Sequence, residues 1–145
     1  MCEYKITKTA LDKILSYFDC FTFEMGGAIG VKDNVITMFY PLENEDTTGA
    51  CFVPSLTSLN EANDYFGKSG TDFGGIIHSH PISKFGSGMN SPSKNDKEFY
   101  ANFIKSNKQF EKLIVPIITL KEGQKDIAWY IYENSELSEL DIQII

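Results

Sequence analysis

The stretch Gly75-Ile76-Ile77-His78-Ser79-His80-Pro81, followed after a run rich in glycine, serine and asparagine by Ser93-Lys94-Asn95-Asp96, carries the only two histidines of the chain. Its apolar, β-branched start predicts a buried strand over residues 73–80. Side chains alternate along a strand, so His78 and His80 point the same way with Cα atoms about 6.6 Å apart, and Ser79 points to the opposite face. Two imidazoles on one face can converge on a single cation. Zinc accepts two imidazoles and a carboxylate at about 2.0 Å, and three protein ligands leave a fourth position open for chemistry. Asp96 is the candidate carboxylate.

Each of these residues also has a plain structural reading. A lone histidine on an apolar strand is more often a satisfied core residue than a ligand; the pair at i and i+2 is what favours a ligand. Ser93 to Asp96 reads equally as a helix start, with Ser93 as N-cap and Asp96 at the third helical position, where a carboxylate meets unsatisfied backbone donors. The two readings are compatible, because a first-turn residue is held rigidly and can still face a metal beside the strand.

Working outward, Ala10, Leu11, Ile14, Leu15 and Phe18 recur at helical spacing after Thr7, a candidate N-cap, with Ile6 placed to staple onto Leu11; this predicts a first helix ending near Asp19. Residues 21–31 and 35–40 are apolar runs around Lys32-Asp33-Asn34 and predict a hairpin, with Glu24 on its first strand. A polar loop over 43–49, a short strand over 50–53 and a second helix carrying Leu56, Leu59, Ala62 and Phe66, stopped by Gly67 and Gly70, come next. Beyond the metal strand lie a loop over 82–92 and a third helix over 93–107, with Phe99, Phe103 and Ile104 as its inward stripe. Strands over 113–120 and 127–132 follow, whose Trp129, Tyr130 and Tyr132 read as sheet packing. The tail from Ser135 is open between an edge strand and a helical turn. Helices alternating with strands in this order imply a mixed sheet with helices packed on it.

Glu24 and the two histidine and aspartate motifs, taken together, resemble the JAMM (MPN-plus) zinc metallopeptidases, a family that includes deubiquitinating isopeptidases and small prokaryotic members. The family pattern is a Glu on an early strand, then His-x-His-Pro, then Ser-x-x-Asp. Here it reads Glu24-Met25-Gly26-Gly27, then His78-Ser79-His80-Pro81, then Ser93-Lys94-Asn95-Asp96. The resemblance runs from about Thr7 to Glu133. Twelve residues separate His80 from Ser93, about five more than the family commonly has, and the excess falls in a composition typical of loops.

The resemblance implies an α/β/α MPN architecture over residues 1–145 as one domain, a curved mixed sheet flanked by helices and related to cytidine deaminases. It also implies the roles of the site residues. His78, His80 and Asp96 would hold Zn2+, which lowers the pKa of a water from about 15.7 towards about 7. Glu24 would act as general base and then general acid, and Ser93 would donate to the oxyanion of the tetrahedral intermediate. Gly26 and Gly27 give room for close backbone approach, or equally for tight strand packing. A deaminase reading itself fails on residue type, since it needs His-x-Glu and Pro-Cys-x-x-Cys.

The expected function is therefore hydrolysis of a peptide or isopeptide bond, by resemblance at the tail of a ubiquitin-like or sulfur-carrier protein, with loop 82–92 and segment 43–50 shaping the channel. Rival readings are a cell-wall or toxin-type peptidase using the same site, for which no export signal is present, and a non-catalytic MPN interaction module, for which ligands are usually lost. At 145 residues with 42% hydrophobic and 23% charged residues, the chain can bury one sizeable core. A net charge of −7 and scattered lysines without arginine argue against nucleic acid as a partner. Cys2, Cys20 and Cys51 lack Cys-x-x-Cys spacing and read as reduced thiols, two of them in the core. With no signal peptide and no long apolar run, no membrane contact and a cytoplasmic location are expected.

Overall fold

A computed structural model of the protein describes residues 4–19, 24–46, 52–81, 92–121 and 124–145. The expectations for Cys2, Cys20 and Cys51, for residues 21–23 and for nearly all of loop 82–92 lie outside these residues. The chain builds β1 (Tyr4–Ile6), α1 (Lys8–Tyr17), β2 (Gly26–Lys32), β3 (Val35–Leu42), α2 (Leu56–Gly67), β4 (Asp72–Pro81) and α3 (Lys94–Ser106). Six short strands complete it: β5 (Lys112–Ile114), β6 (Ile117–Lys121), β7 (Gln124–Ala128), β8 (Tyr130–Glu133), β9 (Glu136–Glu139) and β10 (Ile142–Ile144).

Local chemistry accounts for most boundaries. The Thr7 hydroxyl accepts from the Ala10 amide at 3.1 Å and starts α1, and Ser55 does the same for the Ser58 amide at the head of α2. Gly70, at φ +65°, takes the left-handed conformation that follows α2. In the hairpin, Asp33 and Asn34 have φ of 51° and 62°, the pair of positive angles that matches the twist of antiparallel strands in a two-residue turn. Asn134 and Ser135 repeat the device between β8 and β9.

The strands join in one mixed sheet of order β10-β1-β3-β2-β4-β5-β8-β9, with β6 pairing β4 and β7. Strand β4 is the pivot, antiparallel to β2 and parallel to β5 and then β6. The run expected as one strand over 113–120 is two, because Val115 and Pro116 break the ladder; Pro116 has no N–H, and its carbonyl instead accepts from the His78 amide at 3.3 Å. The sheet forks there and curls. Its partner run likewise breaks at Trp129. The tail is strand rather than helix, and β1 and β10 form a parallel pair that the sequence pattern did not announce. Residues 52 and 53 are not in a strand; Pro54 makes an isolated bridge to Asn44.

Alternation along the strands sorts the core into two layers. Ile29, Ile77 and Ile118 bury against Ala10 and Ile14 of α1 and Phe18 at its C-cap. Ala28, Ile76 and Leu113 bury against Ala62 and Phe66 of α2 and Tyr100 of α3. The expected α/β/α layering is thus present, with α1 on one face and α2 and α3 on the other. His78 and His80 share the parity of Ile76 and face the α2–α3 side, at the end of β4 where α3 begins.

Candidate metal centre

The site starts from the alternation of β4. His78 and His80 are both buried and their Nε2 atoms lie 2.9 Å apart. Ser79 between them is fully buried on the α1 side. The stacked ring of Phe52, at a centroid distance of 6.2 Å and 9° between planes, backs His78. Gly26 makes this possible: a Cβ there would lie 2.2 Å from the Phe52 ring. Burial lowers the His78 pKa below its ordinary value, against the pull of Asp96, so the ring is held neutral, the form a metal ligand needs.

Asp96 arrives from α3. The Ser93 hydroxyl accepts from the Asp96 amide at 3.1 Å while the Ser93 amide donates to Asp96 Oδ2 at 2.8 Å, a complete capping box. The same Oδ2 lies 3.2 Å from Nε2 of His78 and 3.2 Å from Nε2 of His80. Burial works to raise the Asp96 pKa, but the two imidazoles and the Ser93 amide overcome it and hold the carboxyl well below the usual range. The cap reading of the Ser-x-x-Asp motif therefore holds, and the capped carboxylate faces the two histidines. The cap aims the carboxylate.

Glu24 lies just before β2 rather than on it, since the ladder begins at Gly26. Its Oε1 is 3.9 Å from His78 Nε2, buried, and has no hydrogen-bond partner among the described residues. Burial, with a smaller contribution from Asp96 and Asp46 and opposed by His80, raises its pKa to about 7. A carboxyl with that value can give or take a proton near neutrality.

Ligand atoms of Glu24, His78, His80 and Asp96 all lie within 4.8 Å of one another. The two Nε2 atoms and Oδ2 form a triangle of edges 2.9, 3.2 and 3.2 Å. Three mutual contacts of this kind cannot all be linear hydrogen bonds, whereas a tetrahedral zinc with arms of about 2.0 Å asks for edges of about 3.3 Å. The donor set fits a divalent cation held by His78, His80 and Asp96, with the orphaned Glu24 oxygen beside it. Ser93, the expected oxyanion donor, borders the site through its cap, and its hydroxyl hydrogen remains able to donate.

Several contributors escaped the sequence reading. Tyr100, one turn after Asp96, is the buried centre of the inner face of α3, while the expected stripe of Phe99, Phe103 and Ile104 is only half-buried. Its hydroxyl is buried without a partner among the described residues, within the field of Asp96 and Glu24. Helical spacing from Asp96 to Tyr100 was the available signal. Phe52 and Asn44 come from the segment between β3 and α2, where nothing local marks them.

The fold recurs in solved structures. Protein DSY2949 from Desulfitobacterium hafniense superposes with a TM-score of 0.75 at 21% identity, covering 98% of this chain and 92% of that one. AF2198, a JAB1/MPN domain protein from Archaeoglobus fulgidus, gives 0.57 at 18% identity over 99% and 98%. No protein-family model and no curated protein matches the sequence. The architecture is thus the mixed, curled sheet with flanking helices of a JAB1/MPN domain. Among the described residues no helix is long and apolar enough to cross a membrane.

Proposed function

We propose that the chain is a zinc-dependent metallopeptidase of the JAMM type, hydrolysing a peptide or isopeptide bond, with the tail of a ubiquitin-like or sulfur-carrier protein as the favoured substrate and the cytoplasm as its place of work. The observation that carries the reading is the convergence of Glu24, His78, His80 and Asp96 from three separate parts of the chain within 4.8 Å, on a JAB1/MPN-like fold. The substrate class rests on the sequence resemblance. A complete ligand set favours this over a non-catalytic module.

His78 presents a neutral imidazole, His80 a second imidazole on the same face of the strand, and Asp96 a carboxylate aimed by its cap. When bound, zinc supplies the Lewis acidity that brings the pKa of a water towards about 7. Glu24, close by but outside the three-ligand triangle, accepts the proton of the attacking water and returns it to the leaving amine. Ser93 stands at the rim of the site, where its hydroxyl donates to the developing oxyanion. The stacked Phe52 ring and buried Tyr100 keep the floor of the site dry, which strengthens each of these electrostatic contacts.

The test is elemental analysis together with cleavage of a ubiquitin-like fusion. We expect about one zinc per chain, lost on His78→Ala or Asp96→Ala. Glu24→Gln should keep zinc and lose turnover. Stoichiometric zinc in a His78→Ala, His80→Ala double variant, or near-normal hydrolysis by Glu24→Gln, would overturn the assignment.

A further inference from the structure

Glu24 precedes the first ladder residue of β2, so no strand pairing among the described residues fixes its backbone. Two side chains from elsewhere do so instead. The Asn44 Nδ2 donates to the Glu24 carbonyl at 3.1 Å, and the Ser79 Oγ accepts from the Met25 amide at 2.9 Å. These are the oxygen and the nitrogen of a single peptide unit. Because that unit is planar, gripping both of its polar atoms sets its orientation, and with it the direction in which the Glu24 side chain leaves the backbone.

Each grip is itself anchored. Ser79 is fully buried between the two histidines, and its own amide donates to the Met25 carbonyl at 2.9 Å. Asn44 Oδ1 accepts from the Asp46 amide at 2.9 Å and the Val53 amide at 3.0 Å, which fixes the side-chain amide with its NH2 towards Glu24. Around it the Glu45 amide donates to Val53 at 2.7 Å and the Ser55 amide to Glu43 at 3.0 Å. The strand bearing His78 and His80 and the segment that delivers Phe52 thus meet at one peptide bond.

We infer that Ser79 and Asn44 are positioning residues, a two-sided clamp on the Glu24–Met25 peptide that holds the Glu24 carboxylate over the His78–His80–Asp96 triangle. The clamp rests on the reading of Glu24 as the proton carrier. It touches neither metal nor substrate, so its loss acts on the proton transfer and leaves the three ligands in place.

The experiment compares wild type with Ser79→Ala and with Asn44→Asp, which keeps an acceptor for the Asp46 and Val53 amides and replaces the donor to Glu24 with a charged acceptor. Zinc content, kcat and KM per zinc-loaded molecule and exchange of the Met25 amide are measured. Both variants should bind zinc as wild type does, lose roughly 10- to 100-fold in kcat with KM within about twofold, and, for Ser79→Ala, exchange the Met25 amide faster. A purely structural role would lower stability while leaving kcat per loaded molecule unchanged, and that result, or unaltered Met25 exchange, overturns the clamp. Absence of turnover in zinc-loaded wild type on every fusion tried instead overturns the hydrolase reading, and the catalytic part of the clamp with it. Active wild type with unaffected variants overturns the clamp alone.

Discussion

At the scale of single residues, Glu24 is the group whose environment does most. Its pKa of about 7 in the fold lies above the ordinary 4.5, so without metal the folded chain binds this proton more tightly than the unfolded chain does. The resulting stabilisation is complete below about 4.5 and is lost as pH rises through about 7, a loss of up to ~3 kcal/mol. His78, with its pKa lowered by burial, acts in the opposite direction, so the comparison must be between variants. Glu24→Gln removes only the first contribution. Metal-free Glu24→Gln should therefore gain stability relative to metal-free wild type between pH 5 and pH 8, measured by urea denaturation in chelator, and an equal difference at the two pH values would contradict the buried carboxyl. The clustering of the candidate ligands was legible in the sequence because its geometry is local: a period of two brings the histidines together, and the first turn of a helix presents Asp96. Asn44, Phe52 and Ser79 in its clamping role were not, because each acts across a long loop of chain with no pattern of its own.

Among the elements, α3 carries the sharpest test, since Ser93 serves both its cap and the proposed oxyanion contact. Ser93→Ala leaves the Asp96 amide without its acceptor and should cost about 1 kcal/mol, along with most turnover. Ser93→Asn restores a capping oxygen, and should recover the stability measured by thermal denaturation without recovering the rate. If Asn restores both, the hydroxyl is a cap and nothing more. The three helices and the turn of the first hairpin follow from caps, periodicity and turn chemistry, although β2 begins at Gly26, after Glu24. The forked strands did not, although Pro116 stood in the middle of one of them: the apolar run continues through it, and only the pairing of His78 with the far side of the break shows why the sheet divides there.

For the molecule as a whole, a mixed sheet with packed helices could be inferred from the order of elements and its α/β/α layering from the family resemblance, but the outer end of the sheet from neither. Three-residue strands give no periodic signal; β1 pairs with β3 on one side, and β10 is held in the sheet by β1 on the other: Tyr4 meets Ile142 and Ile6 meets Ile144, while the Ile145 amide donates to the Ile6 carbonyl at 2.9 Å. That pairing has a consequence in time. Closing a loop of nearly the full chain is the costliest entropy step on the folding route, whereas the β2–β3 and β8–β9 hairpins close over two residues. The β1–β10 zipper should therefore be absent from the folding transition state. Ile142→Ala should speed unfolding in stopped-flow experiments and leave the refolding rate near that of wild type. Strands β1 and β10 then act as a latch that engages after the half of the sheet bearing the candidate metal centre has formed, and a fall in refolding rate with Ile142→Ala would show instead that the latch is where folding begins.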